Sequence, residues 1–186
     1  MIIFDLDGTL ADCEHRTYLI DPSKNKDYQH IGGRWIDPSI ILLSDPPRPK
    51  VFIPDWNAFY EACDKDEPVE EVLNVWTHLS QGEPYNQDIE IWSGRSEKVR
   101  EKTLKWLCDH LGGYFEDDVG YWNRRIRMRP IGDSTPDEVL KKRWLDEALS
   151  EGRTIEYVFD DRPKVVRMWR ENGIFVFDCN QKGEEF

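Results

Sequence analysis

The 186-residue sequence is short of the features that would send a chain into a membrane, along a secretory route or onto long nucleic acid. No apolar run approaches the ~20 residues that a membrane-spanning helix needs. No leader with a charged start and an apolar middle is visible, because Met1 opens directly into a strand-like run. A cytoplasmic protein is the expectation, with no membrane and no obligatory protein partner evident. Cysteine is sparse: Cys13, Cys63, Cys108 and Cys179 form no C-x-x-C pair. That weighs against a zinc knuckle and leaves four reduced thiols as small packing residues. Positive charge is scarce too. Lys and Arg number 25 against 37 Asp and Glu, for a formal charge of −12. Tight binding to long nucleic acid without regard to sequence relies on a basic surface, and this charge weighs against one. A local cluster of arginines at one nucleic-acid end or nucleotide is compatible with that sum. Internal repeats, low-complexity tracts and the phosphate loop G-x-x-x-x-G-K-[ST] are all missing.

What is present suits one soluble domain with a sizeable core: 39% hydrophobic and 33% charged residues. Met1–Asp5 reads as a short strand running into an acidic turn, Asp5-Leu6-Asp7-Gly8-Thr9. A stretch rich in proline and glycine follows and shows no sustained helical period. It reads as an irregular insertion at about 17–54, with a short strand possible at Ser39–Leu43. Regular structure then resumes. Helices are expected over Asp55–Cys63, capped by Asp55, and over Val69–Leu79, with Pro68 in its first turn and Val72, Val75, Trp76 and Leu79 inward. Further helices are expected at Ser96–Leu111, Asp137–Leu149 (Val139, Leu140, Trp144, Leu145 and Ala148 inward) and Pro163–Glu171. Strands are expected at Ile89–Trp92, Arg125–Arg129, Ile155–Phe159 and Ile174–Phe177. Strands alternating with helices imply right-handed crossovers and a mainly parallel sheet, covered on both faces. Such sheets bind ligands beyond the carboxyl ends of their strands. Three of those ends carry Asp5 and Asp7, Ser93 and Arg95, and Asp160 and Asp161: four carboxylates, a hydroxyl and a guanidinium on one rim.

These groups suit phosphate ester chemistry. A phosphate monoester dianion repels nucleophiles, so a carboxylate attacks it only where a hard cation offsets the charge. Magnesium prefers such oxygen ligands. Gly8 permits the tight turn that aims backbone amides at a phosphate. Simpler readings stand beside these. An Asp-Gly turn is common turn chemistry, and Ser93 and Asp160-Asp161 are also plain helix caps.

The run Phe4-Asp5-Leu6-Asp7-Gly8-Thr9-Leu10 resembles the D-x-D-G-T signature of the haloacid dehalogenase superfamily, continued in order by Ser93, Lys141 and Asp160-Asp161. The resemblance implies a three-layer, Rossmann-like α/β fold with a small cap inserted after the first strand. It makes Asp5 the nucleophile, Asp7 the acid and base, Ser93 and Lys141 catalytic partners, and Thr9 a support for the substrate. Mg²⁺ is then held by Asp5, Asp7 (through its backbone carbonyl), Asp160 and Asp161. The C-terminal third is similar, more narrowly, to the phosphatase domain of phage polynucleotide kinase-phosphatase: Asp160-Asp161-Arg162, Val165-Val166 and Met168-Trp169-Arg170, with Ser93-Gly94-Arg95, Arg129 and Arg16 at matching places. Arg16, Gly94, Arg95 and Arg129 are thereby implied to bind a 3′-phosphorylated end, and arginine's planar fork suits phosphate. The kinase half has no counterpart here. The insertion departs from that domain, and its Tyr18, Tyr28, Arg34 and Trp35 are candidates for stacking on a base and contacting phosphate. Removal of a 3′-phosphate from DNA or RNA ends is the expected activity. A nucleotidase acting on nucleoside monophosphates is the alternative, and a noncatalytic phosphate-binding module is the reading from another class.

Overall fold

The computed structural model describes residues 1–25, 34–36, 51–81, 88–112, 118–181 and 183. It divides into two compact units: Met1–Asp12 with Glu67–Phe186, and Cys13–Asp66. In chain order the elements are β1 (Ile2–Phe4), β2 (Ala11–Asp12), β3 (Arg34–Ile36), β4 (Val51–Ile53), α1 (Trp56–Glu61), β5 (Glu67–Pro68) and α2 (Glu70–Gln81). These are followed by β6 (Ile89–Ser96), α3 (Arg100–Leu111), α4 (Asp118–Arg125), β7 (Ile126–Arg129), α5 (Asp137–Ser150), β8 (Tyr157–Asp160), α6 (Pro163–Glu171) and β9 (Phe175–Asp178).

The first unit is an α/β fold. Its central sheet has five parallel strands in the order β7-β6-β1-β8-β9, flanked by helices. The apolar run of β1 explains its central place. Ile2, Ile3 and Phe4 are all buried, as a strand covered on both faces requires. One face packs through Met1, Ile3, Trp92, Val158 and Val176 onto Leu140, Trp144, Leu145 and Ala148 of α5, and onto Val165, Val166, Met168 and Trp169 of α6. Through the sheet run stacked rings, Phe4 on Phe159 at 4.3 Å and Phe159 on Phe177 at 4.7 Å. Pro163 opens α6 at a position where its missing N–H costs no hydrogen bond. Because β1 lies between β6 and β8, the chain leaves it toward both sides of the sheet, which makes its carboxyl end a topological switch point.

Several sequence expectations change here. Pro68 is not in a helical turn; it pairs with Ala11 in the two-residue ladder β2–β5. On α2 the buried residues are Leu73 and Trp76, with Val75 exposed; on α5 Val139 is exposed. In each case the inward stripe passes one position away, where an adjacent apolar residue completes the helical period. Strand β6 runs on through Ser96, with a register shift against β7 between Ser93 and Ser96. Helix α4 was not expected from sequence.

The second unit has a short antiparallel ladder, Arg34–Ile36 against Val51–Ile53, and helix α1. Asp55 caps α1 as expected, its Oδ1 accepting from the Ala58 amide at 2.9 Å, a contact worth ~1 kcal/mol. The unit is wider than the 17–54 segment read from composition. Ser39–Leu43, Tyr28 and the side chains of Arg34 and Trp35 lie outside the described residues.

Candidate active site

Parallel pairing of β1 with β8 sets the site. Phe4 lies opposite Phe159, so Asp5 emerges beside Asp160, and the Asp5 amide donates to the Phe159 carbonyl at 2.8 Å. Asp5, Asp160 and Asp161 each bring an oxygen within 4.8 Å of the others, and all three are buried. Lys141, on the second turn of α5, reaches into this cluster. Its Nζ lies 2.7 Å from Asp5 Oδ1 and 2.8 Å from Asp160 Oδ2. Of the two adjacent lysines, Lys141 is the buried one, while Lys142 pairs with Asp146 on the surface. Thr9 Oγ1 donates to Asp161 Oδ1 at 3.4 Å.

Three buried carboxylates face one ammonium, and the electrostatics show the surplus. Burial pushes the Asp5 carboxyl up to about 7; Lys141 opposes this, and the charges of Asp160 and Asp7 add to it. Asp161 is raised well above the usual carboxylate range, by burial first and then by Asp5 and Asp160. Burial alone would lower Lys141, but Asp160 and Asp5 outweigh it and hold the ammonium above its ordinary value. Even the Cys179 thiol is pushed up to about 12, by burial and by the same carboxylates. A hard divalent cation fits this donor set, which is all oxygen, buried and in excess negative charge.

Gly8 closes the turn at φ +84°, and a Cβ there would lie 2.0 Å from Asp161 Oδ2. Asp7 stands apart from the carboxylate cluster. Its Oδ1 accepts from the fully buried Arg95, at 2.8 Å from Nε and 2.5 Å from Nη2. Ser93 Oγ accepts from the Arg95 amide at 3.1 Å. Arg129 braces the same rim: Nε donates to the Gly94 carbonyl at 2.9 Å, Nη1 to the Thr135 carbonyl at 2.5 Å, and Nη2 to Asp137. A Cβ on Gly94 would come within 2.8 Å of Asp137 Oδ1. Arg16 is in the second unit instead. It is buried, with Nε and Nη2 each 2.7 Å from Asp66 and Nη1 on the Phe59 carbonyl at 3.1 Å. His15 adds a 2.9 Å contact to Asp66.

The structure thus assembles Asp5, Thr9, Lys141, Asp160 and Asp161 in one cluster and Asp7, Ser93, Arg95, Gly94 and Arg129 along the β6–β7 rim. Among the residues not singled out from sequence, Asp137 bridges Arg129 and Arg162. It sits in an acidic pair four residues before Lys141, a signal that was available. Asp66 had none, because its partner is fifty positions away.

A family model described as the polynucleotide kinase PNKP phosphatase domain matches residues 57–184. The chain belongs to this family. As a member it is a phosphatase domain of the haloacid dehalogenase type, and the matched span includes Ser93, Lys141 and Asp160-Asp161, with Asp5 and Asp7 upstream of it. A protein of Autographa californica nuclear polyhedrosis virus, which carries the provisional name bifunctional polynucleotide kinase/RNA ligase, is 30% identical over 122 residues. That alignment covers 65% of this chain and 16% of the viral protein. Two solved structures share the fold. One, described as the Pnkp1/Rnl/Hen1 complex, has a TM-score of 0.60 at 23% identity, over 96% of this chain and 45% of the other. The second, described as the Pnkp1/Rnl/Hen1 RNA repair complex, has a TM-score of 0.59 at 23% identity, over 96% and 41%. The chain therefore spans less than half the length of each of these relatives. Among the described residues, no helix is long and apolar enough to cross a membrane.

Proposed function

We propose that this PNKP-type phosphatase domain is a magnesium-dependent phosphomonoesterase that removes 3′-phosphates from nucleic-acid ends through an aspartyl-phosphate. The observation that carries the reading is the surplus of buried carboxylate around Asp5, countered by Lys141 alone among the described basic residues. A fold does not keep such a surplus for stability, because buried like charges destabilise it. It suits a site completed by a cation and a phosphate.

Asp5, Asp160 and Asp161 would hold the magnesium, with the Asp7 carbonyl as the further ligand that the superfamily implies. When bound, the ion offsets the negative charge of the phosphoryl group and keeps Asp5 ionised. An Asp5 oxygen then forms a bond to phosphorus while the bond from phosphorus to the leaving oxygen breaks. Asp7 gives its proton to that oxygen, and Arg95 fixes the orientation of Asp7. Water next attacks the phosphorus and passes its proton to Asp7. The bond to Asp5 breaks and inorganic phosphate leaves, which restores both carboxyl groups. Lys141 holds Asp5 in line, and Ser93 and Thr9 support the phosphoryl oxygens and the loop. Arg95 and Arg129, with Gly94, shape the rim for the phosphorylated end. Arg16, buried against Asp66, would act only by holding its own unit together.

Phosphate release from three substrates tests the reading: a 3′-phosphorylated oligonucleotide, a set of mononucleotides, and an aryl phosphate. The oligonucleotide is expected to have the highest kcat/KM, with no release in chelator. A preference for mononucleotides would replace this reading with a nucleotidase, and no release from any of the three would leave a phosphate-binding module.

A further inference from the structure

Asp160 is tied more fully than its two neighbours. Its Oδ2 accepts from Lys141 Nζ at 2.8 Å and from the indole Nε1 of Trp169 at 3.3 Å. Its Oδ1 accepts from the Arg162 amide at 3.2 Å. A carboxylate oxygen has two lone pairs. Both on Oδ2 are therefore spoken for, and Oδ1 retains one. Trp169 cannot turn away. It is fully buried in the core cluster on α6, its ring 5.8 Å from that of Trp92, and Asp160 is buried beside it.

We propose that Trp169 is a positioning residue that limits Asp160 to a single coordination bond and so biases the site toward magnesium over calcium. The inference rests on the reading of Asp5, Asp160 and Asp161 as a cation site. Calcium accepts carboxylates with one or both oxygens in loose shells of six to eight ligands, whereas magnesium demands a near-octahedral shell of single contacts. An Asp160 whose second oxygen is occupied by an indole N–H and an ammonium meets the magnesium demand and refuses the calcium alternative. Lys141 supplies one of those donors but also serves Asp5. The Trp169 N–H is given to Asp160. Groups behind a metal ligand commonly set affinity by ten- to a hundredfold.

The test is calorimetric titration of substrate-free protein with MgCl₂ and, separately, CaCl₂, for wild type and Trp169→Phe. A second variant carries benzothienylalanine at position 169, which keeps the ring shape and replaces N–H by sulfur. Both variants are expected to bind magnesium about tenfold more weakly, with calcium binding unchanged or tighter, so that discrimination narrows. A purely structural role for Trp169 would lower the melting temperature and leave both affinities and their ratio where they were, which overturns the proposal. If Trp169→Phe does not fold, the benzothienyl variant decides alone. Wild-type phosphate release from the 3′-phosphorylated oligonucleotide is measured alongside. Magnesium-dependent release with an unchanged affinity ratio in the variants sinks this inference only. Wild type that binds neither cation sinks the cation site, and the inference with it.

Discussion

Two buried groups of charge, one in each unit, show what a fold tolerates for architecture and what it keeps for chemistry. In the insertion unit Arg16 and Asp66 are both buried and meet through two contacts of 2.7 Å, one positive charge for one negative. The guanidinium also lies 4.0 Å from the Phe59 ring centroid, so its remaining surface is occupied. In the sheet unit three carboxylates share one lysine. The first group is complete within the chain. The second carries a surplus of negative charge that a bound cation would balance. Burial is common to both; balance separates them.

The comparison breaks most sharply at Asp5. Asp5→Asn should fold and lose more than about a thousandfold in turnover, because an amide is a poor nucleophile. Initial rates on an aryl phosphate, with single-turnover controls, measure this; turnover near wild type would end the aspartyl-phosphate reading. Next comes Arg16. Arg16→Ala strands Asp66 in the interior and should cost about 3–5 kcal/mol in urea unfolding, while the paired change Arg16→Met with Asp66→Leu should recover most of it. A single variant as stable as wild type would show that the pair holds nothing together. Arg129→Ala follows. Its contacts to Gly94, Thr135 and Asp137 brace the rim, and loss of charge-assisted bonds worth about 1.5–3 kcal/mol should lower oligonucleotide turnover roughly ten- to a hundredfold. Undiminished kcat/KM at equal melting temperature would remove Arg129 from both the recognition and the bracing of the rim.

The smallest effect is thermal and has a definite sign. Folding raises the Asp5 carboxyl from 3.8 to about 7. The folded state therefore holds the proton more tightly than the unfolded chain, and ionised Asp5 is a cost that is fully present above pH 7 and gone near pH 4. In chelator Asp5→Asn should melt above wild type at pH 8, with the gap closing toward pH 5. Saturating magnesium should reverse the order at pH 8, since a ligand held by the folded wild type stabilises it by mass action. Melting curves with the same order in both buffers would contradict the surplus-charge account.

The two groups also differ in how far they could be read from sequence. Asp5 and Asp160-Asp161 could be placed together because parallel strands deliver their ends to one rim, and short local runs mark those ends. The choice of Lys141 over Lys142 rested on a resemblance; helix rotation supplies the physical reason. Val75 and Val139 were misplaced by the same rotation, since an apolar residue one position off the stripe looks identical in a list of apolar residues. Asp66 was invisible because a pair fifty residues apart leaves no local pattern. Trp169 entered only as part of a family run, as nothing in sequence shows where an indole N–H points. Helix α4 was missed because Asp118–Arg125 is short and carries Gly120 inside it, which weakens any propensity argument.

Gly8 has a consequence beyond the turn it closes. A Cβ there would stand 2.0 Å from Asp161 Oδ2, so only a hydrogen atom fits between that backbone and the Asp161 carboxylate. A library randomised at position 8 and selected for phosphate release should return one codon family. Variants selected only for folding should admit few others, Asn and Asp first because they tolerate the φ of +84°, with Asp161 swung aside. Position 8 thus carries two separable demands, a backbone conformation that folding needs and a missing side chain that the seating of Asp161 needs.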